Sequence, residues 1–188
     1  MSLIKAFFFD LDGTLVNTYE ADYLAYRDAI KKVVGSDITR EDFAQTNGKE
    51  MRHKLADLTP GITEEQVLNI AEQKKYHYAK YLHLTVPNEP LITFLRAQAR
   101  DQRAVLVTTA KRHNAMLVLD AHNLTTHFSD MVFGDEVPHP KPHPQPYLVA
   151  LNKTGLQPYE VVAFEDSDTG AASAIAAGIS VIRVGSFA

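Results

Sequence analysis

The stretch Ile4 to Leu15 reads IKAFFFDLDGTL, and the fold turns on it. Its first six residues form a short run that is apolar and aromatic apart from Lys5, the pattern of a strand buried on both faces. The run stops abruptly at Asp10 and Asp12, two carboxylates two residues apart, followed by Gly13 at a turn and Thr14. Carboxylates held that close must repel one another, share a proton or hold a cation.

Working outward from this strand, the chain changes character between Thr18 and Leu84. Tyr23, Tyr26, Ala29, Ile30, Val33 and Val34 recur at helical spacing, and Thr63 with Gln66 forms a capping-box pattern opening a long helix through Tyr81. Beyond Pro87 the pattern alternates. Helices are expected near Leu91 to Ala99, Asn114 to His122, Tyr147 to Thr154 and Thr169 to Ala177. Strands are expected at Ala104 to Thr108, Met131 to Phe133, Val161 to Phe164 and Val181 to Val184. Alternation of this kind predicts an α/β fold, a Rossmann-like parallel sheet covered on both faces. The first strand belongs to that sheet, so the helical block is an insertion. The expected division is a core of residues 1–16 and 86–188 with a helical cap of residues 17–85.

Composition narrows the chemistry. The 188 residues carry 19 Lys plus Arg against 23 Asp plus Glu, a formal net charge of -4, 45% hydrophobic residues and no cysteine. Disulfides, thiolate metal sites and a cysteine nucleophile are excluded, leaving oxygen and nitrogen groups. The basic residues are scattered, which argues against a nucleic-acid partner. The first apolar run is far short of the roughly 20 residues that span a bilayer, so no membrane partner is expected. A cytoplasmic monomer is the resulting expectation, with Met1-Ser2-Leu3 read as an expression leader.

In an open α/β sheet, ligands sit where loops converge at the carboxyl ends of the strands. There this sequence places Asp10 and Asp12, then Thr108 and Thr109, then Asp135, Glu136 and Lys141, then Glu165, Asp166, Ser167 and Asp168. Asp168 reads as the cap of the helix from Thr169, and His139 and His143 as loop histidines among prolines. Four carboxylates around one lysine are costly without a metal, and an oxygen-only donor set suits Mg²⁺. Magnesium, a lysine, a hydroxyl and a spare carboxylate together match what phosphoryl transfer requires.

Asp10-Leu11-Asp12-Gly13-Thr14, Thr108, Lys141-Pro142 and Glu165-Asp166-Ser167, in that order and each at a strand end, resemble the four motifs of the haloacid dehalogenase superfamily. The likeness spans essentially the whole chain and is strongest to the β-phosphoglucomutase and sugar-phosphatase branch, whose helical cap follows the first motif. It implies Asp10 as nucleophile, Asp12 as general acid and base, and Thr108 and Lys141 on the transferring phosphoryl group. Mg²⁺ would sit on Asp10, the Asp12 carbonyl and Asp166, with Glu165 as a further metal-site carboxylate. Thr109 and the cap residues Lys49, Arg52 and Lys74 are candidate substrate contacts. Asp12 disfavours dehalogenation, because dehalogenases of the superfamily lack that second acid. Asp22 stands where β-phosphoglucomutases carry a cap histidine, and the chain stops soon after its last strand. The expected activity is therefore a Mg²⁺-dependent phosphatase of a small phosphorylated metabolite, a sugar phosphate. A mutase of the same fold and a non-catalytic phosphometabolite-binding module are the alternatives.

Overall fold

The computed structural model describes residues 4–46, 49, 51–98, 102–185 and 187, so the expected leader Met1-Ser2-Leu3 lies outside the described residues. In chain order the elements are β1 (Ala6–Phe9), β2 (Val16–Asn17), α1 (Tyr19–Val34), α2 (Arg40–Ala44), α3 (Met51–Leu58), α4 (Glu64–Tyr81) and β3 (Val86–Pro87). Then follow α5 (Glu89–Gln98), β4 (Arg103–Val107), α6 (Arg112–Ala121), β5 (Asp130–Val132), α7 (Gln145–Thr154), β6 (Val161–Glu165), α8 (Asp168–Ala176) and β7 (Ser180–Arg183). Every expected strand and helix of the alternating region is present, with ends displaced by one or two residues. The chain divides into two compact units, Met1–Asn17 with Val86–Ala188, and Thr18–Thr85. Among the described residues no helix is long and apolar enough to cross a membrane.

The first unit is built on a five-stranded sheet in the order β5-β4-β1-β6-β7, every neighbouring pair parallel. β1 is central, with Phe9 in register with Leu106 on one side and Phe164 on the other. Its side chains alternate between the faces. Phe8, fully buried, joins Val105, Val107, Tyr147, Ala150, Ala163 and Ala174 in one core. On the other face Phe7 meets Phe94 edge-on at 5.0 Å, and Phe9 stacks on Phe164 at 5.0 Å. Three consecutive phenylalanines thus supply both cores, and a polar residue within the run would be stranded between them.

Two very short strands escape the sequence reading. β2 and β3 pair antiparallel, Val16 with Pro87 and Asn17 with Val86, where the chain leaves and re-enters this unit. Asn88 fastens the junction: its Nδ2 donates to the Thr14 carbonyl at 3.0 Å, while its Oδ1 accepts from the Leu91 amide at the start of α5.

Among the described residues the regular elements of the second unit are all helices, the last a short 3₁₀ turn at Leu82–Leu84. Thr63 and Gln66 form the capping box at the start of α4, and Thr39 with Asp42 forms another on α2. Its core gathers on Phe43, whose ring lies 5.6 Å from each of Tyr19, Tyr23 and Tyr26. Of the tyrosines in α4, Tyr78 is buried and Tyr81 donates to Asp28, but Tyr76 is exposed.

Candidate active site

Parallel pairing brings the carboxyl ends of β1, β4 and β6 to one edge of the sheet, and the site is assembled there. Asp10 immediately follows β1, and its amide is tied to the Phe164 carbonyl at 3.1 Å. Continuing the β1–β4 register places it beside Val107, with Thr108 one residue further. Glu165 ends β6, and Asp166 follows it. Lys141 enters from the loop between β5 and α7, its side chain only 3% exposed.

The Lys141 ammonium joins the site. Its Nζ donates to Asp10 Oδ1 at 2.7 Å, to Glu165 Oε1 at 2.6 Å and to the Val107 carbonyl at 2.8 Å. Burial pulls its pKa down, but the neighbouring Asp10 and Glu165 carboxylates outweigh that and hold it above the ordinary 10.5, so it stays charged. Glu165 is fully buried, and burial followed by the charge of Asp10 pushes its carboxyl up to about 7, against the pull of Lys141. Asp166 is raised in the same direction by burial and Asp10, although Thr14 Oγ1 donates to its Oδ1 at 3.0 Å.

Gly13 adopts φ +86°, and a Cβ there would collide with the Asp166 carboxylate. The glycine is therefore needed twice, for the turn and for the close approach of β1 and β6 loops. Thr108 is buried, with its amide on the Val132 carbonyl and its hydroxyl accepting from the Ala110 amide at 3.0 Å. Asp12 is half-buried in the turn, which closes through a bridge between Asp12 and Val16. Thr109 is exposed, and its carbonyl packs against Gly134.

Not every acidic residue at the strand ends belongs to the cluster. Asp135 Oδ1 accepts from the Arg112 amide at 2.9 Å, and Glu136 pairs with the Arg112 guanidinium, so both bind the start of α6 instead. Asp168 is not the cap of α8. Ser167 is, its Oγ accepting from the Gly170 amide at 3.0 Å, whereas Asp168 points into solvent beside Arg183. A serine one residue earlier offers the same acceptor, and the first turn still benefits from the acid behind it. His139 and His143 are exposed, with ring centroids 4.8 Å apart.

The three cap candidates lie in the helical unit and are paired within it. Lys49 is bonded to Asp57 at 2.5 Å and Arg52 to Glu64, both on the surface. Lys74 is different. Its side chain is 13% exposed, 2.5 Å from Asp22 Oδ1, with its Nζ 4.7 Å from the Tyr26 ring centre and 4.9 Å from that of Tyr78. Lys54, which the sequence did not single out, is buried over Phe43 and 4.0 Å from the other Asp22 oxygen.

Ligand atoms of Asp10, Glu165 and Asp166 all lie within 4.8 Å of one another, a spacing able to hold a metal ion. Glu165 Oε2 is buried with no hydrogen-bond partner among the described residues. A buried carboxylate oxygen left without a donor is expensive, and a cation among hard oxygen donors satisfies it. The residues present therefore fit a divalent metal.

The family model for haloacid dehalogenase-like hydrolases matches residues 7–184, all of the five-stranded sheet but its first residue, Ala6. The chain belongs to that family. Its curated relatives include the CbbY protein of Rhodobacter capsulatus, 33% identical over 95% of this chain and 84% of the relative. A phosphorylated carbohydrates phosphatase of Thermotoga maritima is 29% identical over 95% of this chain and 84% of its own length. Among solved structures, CbbY from Rhodobacter sphaeroides in complex with phosphate superposes with a TM-score of 0.88 at 22% identity, covering 98% of this chain and 87% of that one. That last likeness concerns the fold. As a haloacid dehalogenase-like hydrolase the chain is an enzyme, with the parallel sheet and inserted helices read from its sequence.

Tyr147 was missed by the sequence reading. It lies on α7, fully buried, and its hydroxyl donates to Glu165 Oε1. The signal was available: Tyr147, Ala150, Leu151 and Thr154 form the buried stripe of α7, and a tyrosine on such a stripe needs a partner for its hydroxyl.

Proposed function

We propose that the chain is a Mg²⁺-dependent phosphatase acting on a small phosphorylated metabolite, a sugar phosphate, through an aspartyl-phosphate on Asp10. The observation that carries this reading is the convergence of Asp10, Glu165 and Asp166 on Lys141 at the strand ends. Phosphatase names among the curated relatives support it. Asp10, Glu165, Asp166 and the Asp12 carbonyl would hold the ion, which when bound supplies charge neutralisation between an anionic nucleophile and an anionic substrate.

The remaining roles fall to the chain's own residues. A carboxylate oxygen of Asp10 forms a bond to phosphorus as the bond from phosphorus to the sugar oxygen breaks, and Asp12 gives its proton to the departing oxygen. Asp12 then takes a proton from water, whose oxygen attacks phosphorus, releasing inorganic phosphate and restoring the Asp10 carboxylate. Lys141 and Thr108 present donors to the phosphoryl oxygens. Positioned acid–base help of this kind contributes on the order of 10² to 10⁴ in rate. Thr109 and, from the helical residues 17–85, Lys74, Lys49 and Arg52 are the candidate contacts to the non-reacting part of the substrate.

The test is product analysis on a panel of hexose, pentose and triose phosphates with and without Mg²⁺. Metal-dependent release of inorganic phosphate is the expected result. Conversion of glucose 1-phosphate to glucose 6-phosphate on addition of a trace of bisphosphate, with no phosphate released, would make the enzyme a mutase. Inactivity in both assays would leave a binding module.

A further inference from the structure

Lys141 has three N–H donors, and all three are used, on Asp10 Oδ1, the Val107 carbonyl and Glu165 Oε1. To meet an oxygen of an incoming phosphoryl group it must release one of them. Release of Glu165 would strand a carboxylate that is fully buried, unless a second donor stays behind. Tyr147 is that second donor. Its hydroxyl donates to the same oxygen, Oε1, that Lys141 occupies, while Oε2 has no hydrogen-bond partner among the described residues. The tyrosine is itself held. Its ring stacks on Phe8 at 6.4 Å and lies 5.2 Å below the Lys141 ammonium. On the far side Gly170 leaves no room for a Cβ against the Glu165 carboxylate, so that carboxylate is confined.

We propose that Tyr147 is a positioning residue that anchors Glu165 through Oε1, freeing Lys141 to transfer one donor to the phosphoryl group and keeping Oε2 available to a cation. This rests on the phosphatase reading for the lysine transfer, and on the metal-fitting geometry alone for the hold on Glu165.

Tyr147→Phe removes the hydroxyl and keeps the ring. In the substrate-free protein, the Mg²⁺ concentration giving half of the metal-induced rise in Tm should increase about tenfold, the value of one such bond to a charged group. At saturating Mg²⁺, kcat should fall about tenfold with KM nearly unchanged. Because Tyr147 acts through Glu165, Glu165→Gln should abolish the further effect of Tyr147→Phe in the double variant. A role in packing alone would lower the metal-free Tm while leaving the Mg²⁺ midpoint and kcat as in wild type, or would add to the effect of Glu165→Gln; either result overturns the proposal. Should Tyr147→Phe not fold, 4-fluorophenylalanine at position 147, which fills the space of the phenol without its O–H, must still raise the Mg²⁺ midpoint about tenfold, and a wild-type midpoint there overturns the proposal. Absence of phosphate release by the wild type would defeat the phosphatase reading, yet the Mg²⁺ midpoints would still decide the hold of Tyr147 on Glu165.

Discussion

Lys141 is the residue on which the site balances. It is 3% exposed between carboxylates that are 10% and 0% exposed, so each charge depends on the other two. Lys141→Met would leave Asp10 and Glu165 facing one another without a cation. A loss of about 3–5 kcal/mol is expected in urea unfolding without metal, the usual consequence of removing one partner from a buried pair. Saturating Mg²⁺ should restore part of it. The raised carboxyl of Glu165 makes a second prediction. A group that binds its proton more tightly when folded makes the folded state lose stability as pH rises between its unfolded and folded pKa values. In metal-free protein the relevant window runs from 4.5 to about 7. Tm should therefore fall across that window, Asp166 contributing in the same direction, and Glu165→Gln should flatten the slope. A Tm that climbs with pH in the metal-free wild type would contradict the assignment. Asp10 and Asp12 were legible in sequence because they close an apolar strand in a dense motif, whereas Lys141, in the proline-rich loop between β5 and α7, was legible only through its register with the other motifs. Tyr147 was not, since its partner lies 18 residues away and only folding brings its hydroxyl to the end of β6.

At the scale of elements, the order of strands and helices was readable because hydrophobic period and capping chemistry agree. Thr63 with Gln66 illustrates this, as does the all-apolar β1. The start of α8 shows where such reading slips. Ser167 and Asp168 are both good capping residues, and sequence alone does not say which one adopts the extended backbone of a cap; here it is Ser167, at φ -97° and ψ 153°. Ser167→Ala should cost about 1 kcal/mol, whereas Asp168→Ala, which removes a solvent-exposed pair with Arg183 and an exposed first-turn acid, should cost about 0.5 kcal/mol. Chemical denaturation of the two variants distinguishes them, and the reverse ranking would return the cap to Asp168. The β2–β3 pairing was unreadable because two residues per strand carry no period.

For the molecule as a whole, the two units divide the work. The sheet unit holds the reacting groups, and the helical unit carries the selectivity under the proposed function. Lys74, set among Asp22, Tyr26 and Tyr78, is better fixed than Lys49 or Arg52, whose partners are surface acids. Lys74→Met should raise KM for the preferred phosphate ester about tenfold, a loss of roughly 1.4 kcal/mol, with a smaller change in kcat. Equal KM values for wild type and variant across the substrate panel would remove Lys74 from substrate binding. The claim on which everything else depends is that Asp10 attacks phosphorus beside a bound cation. Steady-state phosphate release by wild type and Asp10→Asn, with and without Mg²⁺, tests it most directly. The account predicts release that requires Mg²⁺ and falls at least about 10³-fold in the variant; release that persists in Asp10→Asn, or that proceeds unchanged without the metal, would contradict it.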